Sequence, residues 1–478
     1  MNQNALFTLT ALLLFKLAAL QAAGLESASN ALPRPTVEQA RWQDYEIGIF
    51  YHYDVNVFKP GWNHRNYDDF PKPEIFNPTH LDLRQWMEVA KALGAKYAIL
   101  TATHGSGFML WQSEAYAYGL KQSPWKHGQG DIVKEFVDAC RRNDVSPGLY
   151  CHMRVNGWWQ VDHPGFVNRG QGGDPALQAK YAAAKLKQVE ELWGNYGPLA
   201  EIWFDGGMPD PRAGFDVLPY AKKLQPQAVV MCGGNCPVAT IRWIGGETGK
   251  AAYPCWATGI NPFDAQSGSP EGKDWCPGEA DVDLLSGGWM WSPDSDGKLL
   301  SLEQLMEIYY ASVGNNCNLL INAAPGPDGL IPEAQLQRFR AFGQEIQRRF
   351  GKSLAESSGE GNTVELKLRQ PRTIDHVTLM EKITEGERVR EYVVEGKVGG
   401  EWRKIGGGTC IGHKRIERIA PIMVSAVRLR VLKSVGTPLI RKLAVYDTTA
   451  PFKNQANAVS PSVRNENTTV EVKAQSKK

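Results

Sequence analysis

A chain of 478 residues, 42% of them apolar, has length for one large domain and a smaller one. A formal charge of +2, with no basic block ahead of the tail, argues against a nucleic-acid partner. Fifteen Trp is high for a soluble chain, and surplus indole either fills core or stacks on the C–H faces of sugars.

Residues 1–24 read as a cleaved export signal. An apolar run from Ala5 to Leu20 is followed by the small residues Ala22, Ala23 and Gly24. This reading is preferred to a membrane anchor, and no later stretch is apolar enough to span a bilayer, so no stable membrane insertion is expected. Eight Cys stand at 140, 151, 232, 236, 255, 276, 317 and 410; the even number suits an oxidising compartment, with one or two local bridges possible between 232 and 276. Cys232-x-x-x-Cys236 has no His at ligand spacing, so zinc is not suggested. Nothing calls for another metal or an organic cofactor.

Strand-like runs are expected over 47–53, 97–103, 148–152, 201–205, 229–232, 241–245 and 319–322. Helical periodicity is expected over 81–93, 131–143, 175–193, 215–224, 302–313 and 333–349. Strict alternation over some 300 residues argues for parallel strands with crossover helices. The expected fold is therefore an α/β, (β/α)8-like TIM barrel over 35–351. A doubly wound sheet is the alternative, but no Gly-x-Gly-x-x-Gly opening favours it. From 352 to 447 the pattern turns to β alternation with Gly-rich turns, read as a small all-β, galactose-binding-like sandwich. Residues 448–478 are polar and read as a disordered tail.

Active sites of such barrels lie at the C-terminal ends of the strands. Those ends carry His52, His104, His152, Asp205 and Glu247, with Asp54 just past the first. Asp205 closes the run Ile202-Trp203-Phe204 and is followed by Gly206-Gly207. Alone it would read as a capping acid before the next helix, but its company argues for chemistry. Asp205 and Glu247 lie 42 residues apart (247 − 205), room for a helix and one more strand. Paired carboxylates over a sugar site are the equipment of glycoside hydrolysis: one stays ionised, the other protonates the leaving oxygen. Asp205, short and at a glycine-rich stop, suits the nucleophile, and Glu247, with longer reach, the acid/base. His52 and His104 suit sugar hydroxyls, and Tyr150, Trp111 and Trp203 an apolar wall.

With these residues in hand, the chain resembles the α-L-fucosidases of glycoside hydrolase family 29 from about Arg41 to Gly351. The resemblance is carried by Ile49-Phe50-Tyr51-His52-Tyr53, by the stretch Ile99 to Trp111, and by Ile202-Trp203-Phe204-Asp205-Gly206. Arg242-Trp243-Ile244-Gly245-Gly246-Glu247 is similar to the acid/base motif of the branch acting on α-1,3/1,4-linked fucose. Asp274-Trp275-Cys276-Pro277-Gly278-Glu279 and Gly288-Trp289-Met290-Trp291 resemble a later segment of that branch. Ile411-Gly412-His413-Lys414-Arg415-Ile416 resembles part of the C-terminal sandwich. The resemblance implies a secreted, retaining exo-glycosidase acting on a fucosylated oligosaccharide or glycoconjugate. Asp205 would be the nucleophile and Glu247 the acid/base; His52, His104 and Tyr150 would contact fucose, with Trp203 beside the nucleophile and Glu279 and Trp291 toward the rest of the substrate.

One departure bears on specificity. Family members commonly show Lys-His-His-Asp where this chain has Thr103-His104-Gly105-Ser106, so one imidazole is missing. A buried sugar hydroxyl left unpaired costs about 1–3 kcal/mol. That leaves open a related sugar such as α-L-galactose, and Asp54, which replaces a Gly, is a candidate for the vacated space. A carbohydrate-binding protein that has lost turnover is the remaining reading; it would lack a carboxylate, and both are present.

Overall fold

Short apolar runs that are buried on both faces have to be enclosed by helices on one side and by one another on the other. The computed structural model describes residues 32–232, 240–259 and 266–449, and in it such runs form a ring. Helix α1 (Val37–Tyr45) leads into β1 (Ile47–Tyr51). There follow α2 (Leu83–Leu93), β2 (Tyr97–Thr103), α3 (Ile132–Arg142), β3 (Ser146–His152), α4 (Pro175–Gly194), β4 (Glu201–Asp205), α5 (Leu218–Leu224), β5 (Val229–Cys232) and β6 (Arg242–Trp243). A minor antiparallel pair, β7 (Thr258–Gly259) with β8 (Asp274–Trp275), precedes β9 (Gly278–Val282), α6 (Leu302–Ala311), β10 (Cys317–Ala323) and α7 (Glu333–Phe350).

The eight-stranded sheet runs β5-β4-β3-β2-β1-β10-β9-β6, with every neighbouring pair parallel. Its two ends meet in a parallel bridge between Met231 and Ile241, where Ile241 N–H donates to the Val230 carbonyl. The helices start where the sequence supplies acids as caps: Asp82, Asp131 and Asp174 accept from Arg84, Lys134 and Leu177 N–H. On the outside, Trp86, Phe136, Leu192 and Phe339 belong to the core between ring and helices. Inside, Phe50, Ile99, Tyr150, Trp203, Met231 and Leu320 form a second, aromatic-rich cluster.

The barrel expectation holds, and the seven expected strands are present, the one at 241–245 shortened to β6. The eighth strand, β9, was not expected from the sequence. Its inward positions are Glu279 and Asp281, so it lacks the apolar run by which a buried strand is recognised. Both acids are buried against indole and phenol donors instead.

After Phe350 the chain forms β11 (Ala355–Glu360), β12 (Thr363–Glu381), β13 (Val389–Val398), β14 (Glu401–Gly408), β15 (Arg415–Ser434) and β16 (Leu439–Tyr446). They make one continuous six-stranded antiparallel sheet, in the order β11-β16-β12-β15-β13-β14, with its own core around Val377, Leu379, Val394, Leu429 and Leu443. The Ile411–Ile416 stretch docks this sheet on the barrel, where Glu46 accepts from Lys414 and, at 3.3 Å, from His413 Nε2. Of the cysteines in the 232–276 window, Cys255 is a buried thiol that takes a hydrogen bond from Arg242 rather than half of a bridge. Cys236 lies outside the described residues, as do the expected export signal and most of the tail. Among the described residues no helix is long and apolar enough to cross a membrane.

Candidate active site

Because strand side chains alternate, β4 sends Glu201, Trp203 and Asp205 inward at successive heights. The neighbouring strands do the same, so the barrel interior is layered. At the lowest of these levels Glu279 accepts from Tyr97 Oη (2.7 Å), and Glu201 accepts from Trp42 Nε1 (2.8 Å). Tyr97 fits because Gly48 beside it has no side chain: a Cβ there would meet the phenol at 2.3 Å. Glu279 also takes Trp203 Nε1 at 2.9 Å, which fixes the indole one layer above it. Tyr150 stacks on that indole at 5.4 Å and 26°, and its hydroxyl donates to Asp205 Oδ2 at 2.6 Å.

Asp205 therefore stands on a column of locked aromatic rings. Its carboxyl lies below the ordinary Asp value. Burial opposes this, but His152, the Tyr150 hydroxyl, His104 and the Gly206 backbone outweigh it. His152 has a defined tautomer. Arg154 and Val155 N–H donate to its Nδ1 (3.3 and 3.2 Å), so the ring proton sits on Nε2, 3.5 Å from Asp205 Oδ2. Burial pushes His152 down to about 3, so above that pH it acts on Asp205 as a dipole rather than a full charge.

His52 is fixed in the same way. Asn322 Nδ2 donates to the Trp289 carbonyl (2.7 Å), which leaves Asn322 Oδ1 to accept from His52 Nδ1 (2.8 Å). His52 Nε2 then keeps a lone pair, and burial, aided by His104, holds this imidazole down at about 3. His104 stacks on Tyr150 at 5.6 Å and 21°. Asp54 is buried with Oδ2 4.0 Å from His104 Nδ1, while Oδ1 accepts from Ser106 Oγ at 2.6 Å.

Glu247 follows β6 on a loop whose backbone is forced. Gly245, Gly246 and Glu247 all have positive φ (82°, 75° and 47°), the last uncommon for a residue with a side chain. The carboxyl is exposed, and Oε2 accepts from Trp289 Nε1 at 3.2 Å. Trp289 also lies 4.9 Å from His52, so one indole ties Glu247 to the ring pair of His52 and Tyr150.

Of the residues singled out in the sequence, Asp205, His52, His104, Tyr150, Trp203 and Asp54 come together, with Glu247 joined to them through Trp289. Three lie elsewhere. Glu279 is a layer deeper, holding Trp203. Trp111 is buried in the helix layer and donates to Glu191 on α4 (2.9 Å), because the chain after β2 turns back over the outside of the barrel. Trp291 is half-buried beside Gly326 and packs on the outer core, so Trp289 is the indole of that segment that enters the site. The space over Gly105 holds the imidazole of His64 rather than Asp54, which turns to Ser106. His152 and Asn322, at strand ends, gain their roles from these contacts, as does Asp281, whose Oδ1 accepts from Trp243 Nε1 (2.7 Å). Burial raises Asp281 to about 7. Its place on a strand of mixed polarity hid it.

A family model for α-L-fucosidase matches residues 26–349. α-L-Fucosidase 1 of Arabidopsis thaliana is 31% identical, over 87% of this chain and 88% of the relative. Among solved structures, a Bacteroides thetaiotaomicron protein described as a candidate α-L-fucosidase superposes with a TM-score of 0.83 at 38% identity, covering 87% of this chain and 99% of that one. A family 29 fucosidase of Ruminococcus gnavus, solved in complex with fucose, gives a TM-score of 0.76 at 25% identity, with 87% and 95% covered. A depressed carboxylate on a column of aromatic rings, a second carboxylate at the rim and a family match over the whole barrel converge: the chain belongs to the α-L-fucosidases of glycoside hydrolase family 29.

Proposed function

We propose that this α-L-fucosidase is exo-acting and retaining, with Asp205 as nucleophile and Glu247 as acid/base, and that it removes terminal fucose in α-1,3 or α-1,4 linkage. In the first step an Asp205 carboxylate oxygen bonds to the anomeric carbon. The glycosidic oxygen leaves and takes the Glu247 proton. In the second step Glu247 takes a proton from water, whose oxygen displaces Asp205 and frees fucose. Residues 1–24 are proposed to direct export. The observation that carries the reading is the Tyr150–Asp205 hydrogen bond with His152 on the same oxygen, because a nucleophile must be ionised and aimed. The linkage assignment rests on the resemblance of the Glu247 segment to the branched-linkage group.

The test is fucose release from p-nitrophenyl α-L-fucoside and from a Lewis-type trisaccharide. Release from the trisaccharide, lost by roughly 10³-fold or more in Asp205→Ala, supports the reading. Turnover of an α-L-galactoside in preference to the fucoside would replace fucose as the sugar.

A further inference from the structure

Glu247 is the more exposed of the two candidate acids, and it stands on a loop rather than on a strand. A long carboxyl side chain in such a place samples many rotamers unless something stops it, and general acid catalysis needs the proton at one position. The contact that stops it is Trp289 Nε1, which donates to Glu247 Oε2 at 3.2 Å. An indole nitrogen is a donor only, so Oε2 is held as an acceptor. In the protonated acid that role belongs to the carbonyl-type oxygen, which leaves the proton on Oε1, turned toward an incoming glycosidic oxygen.

The donor is itself held at its backbone. Trp289 follows a turn after β9, in which Asp283 Oδ2 accepts from the N–H groups of Gly287 and Gly288 (2.9 and 2.8 Å). Ser286 and Gly287 take positive φ (53° and 112°), so the chain bends sharply just before the indole. From β10, Asn322 Nδ2 donates to the Trp289 carbonyl at 2.7 Å, and this asparagine is fully buried. Its Oδ1 takes His52 Nδ1 at 2.8 Å, and the His52 ring lies 4.9 Å from the indole. One buried amide therefore fixes both the indole that meets Glu247 and the imidazole beside Tyr150. A half-buried tryptophan that only covered the core would need neither the Asp283 turn nor a hydrogen bond to an exposed acid.

We propose that Trp289 is a positioning residue for Glu247, pre-set by Asp283 and Asn322, whose N–H holds Oε2 and so presents the Oε1 proton to the leaving oxygen. This rests on the acid/base reading of Glu247 above. As the Asp205 bond to the anomeric carbon forms, the glycosidic bond breaks and its oxygen takes the proton from Oε1; the indole keeps its own proton throughout. A misplaced acid then costs most where the leaving group needs the proton most.

The test is kcat/KM on phenyl, p-nitrophenyl and 2,4-dinitrophenyl α-L-fucosides, whose leaving groups need progressively less protonation. It is measured, with melting temperatures, for the wild type, Trp289→Phe, Asp283→Ala and Glu247→Gln. Trp289→Phe keeps an aromatic ring but no N–H, and is expected to lose roughly 10- to 100-fold on the phenyl fucoside and progressively less as the leaving group becomes more acidic. Asp283→Ala keeps the indole but loosens its turn, and is expected to show the same dependence at smaller amplitude. Equal losses on all three substrates in Trp289→Phe, or no loss on any, would make the indole a wall of the pocket and overturn the assignment. A Glu247→Gln protein that loses as much on the dinitrophenyl as on the phenyl fucoside would instead overturn the acid/base reading. A wild type inactive on all three would overturn the proposed activity and this assignment with it.

Discussion

The proposed nucleophile has to be charged and still: at Asp205 the charge is favoured by His152 and by the Tyr150 hydroxyl, and Tyr150 also holds the carboxylate in place. Its hydroxyl donates at 2.6 Å and its ring is locked between Trp203 and His104. A hydrogen bond to an ionised acceptor stabilises the charged form, so it lowers the acid's pKa. The acid limb of kcat/KM is therefore expected below the ordinary Asp range. Tyr150→Phe removes one lowering contribution, so the limb should move up in pH, with kcat/KM down about tenfold at neutral pH. A pH–rate profile of the two proteins checks this; a limb that stays in place would remove Tyr150 from the account of Asp205. The imidazoles work in the opposite direction. His52 and His152 fall to about 3, from an ordinary value of 6.5, on burial. The unfolded chain binds their protons below 6.5 and the folded chain does not until near 3, so stability from these two is complete above 6.5 and is lost as pH falls toward 3.

At the scale of an element, β4 and β9 carry the support for Asp205 in their lower halves. Glu201 and Glu279 are both fully buried and both raised by burial. Glu279 accepts from Tyr97 and Trp203, whereas Glu201 Oε1 has no hydrogen-bond partner beyond its neighbour acid. The physical solution is a proton held on Glu201 and donated to an ionised Glu279. Glu201→Gln supplies the same donor and should change stability by less than about 1 kcal/mol. Glu279→Gln sets an NH2 against incoming donors and should cost about 2–3 kcal/mol, along with activity through a loosened Trp203. Thermal melts and kcat/KM of the two variants check the assignment; equal penalties would contradict it.

The same strands set the limit of what the sequence discloses. β4 was legible because Ile202, Trp203 and Phe204 form an apolar run that two glycines cut off, leaving Asp205 at the rim. β9 was not, since its inward residues are acids whose partners come from β2, β4 and β6. Glu247 was legible as a second acid near a strand end, 42 residues after Asp205 (247 − 205), while the positive φ of Gly245 and Gly246 that shapes its loop was not. His64 was illegible, for nothing local marks a loop histidine that will lie over a glycine 41 positions later (105 − 64). Trp111 misled for a related reason: a tryptophan just past a strand end can face either side of the barrel, and the return of the chain decides which.

At the scale of the molecule, the C-terminal sheet is clamped to the barrel at Glu46. That residue sits at φ 59° between α1 and β1, directly below the first site strand, and accepts from both Lys414 and His413. Burial alone would raise its carboxyl, but Lys414 and His413 pull it down to about 2, from an ordinary value of 4.5. A depressed acid contributes stability above its unfolded value and loses it as pH falls through the folded one. With 22% of the Glu46 side chain still exposed, the contribution is about 2 kcal/mol after screening. Lys414→Ala should therefore lower stability by about that amount at pH 7 and by progressively less between pH 4.5 and 2, as melts across pH would reveal; a penalty independent of pH would mean that the clamp is packing rather than charge.

The central claim is that Asp205 forms the covalent bond to fucose, and the most direct measurement is the product that Asp205→Ala makes from an activated aryl α-L-fucoside with azide. With the nucleophile gone, azide should enter the vacated side, restore turnover in part and give the β-configured fucosyl azide, identified by NMR. No acceleration by azide in a correctly folded variant, or an α-configured azide, would contradict the assignment of Asp205.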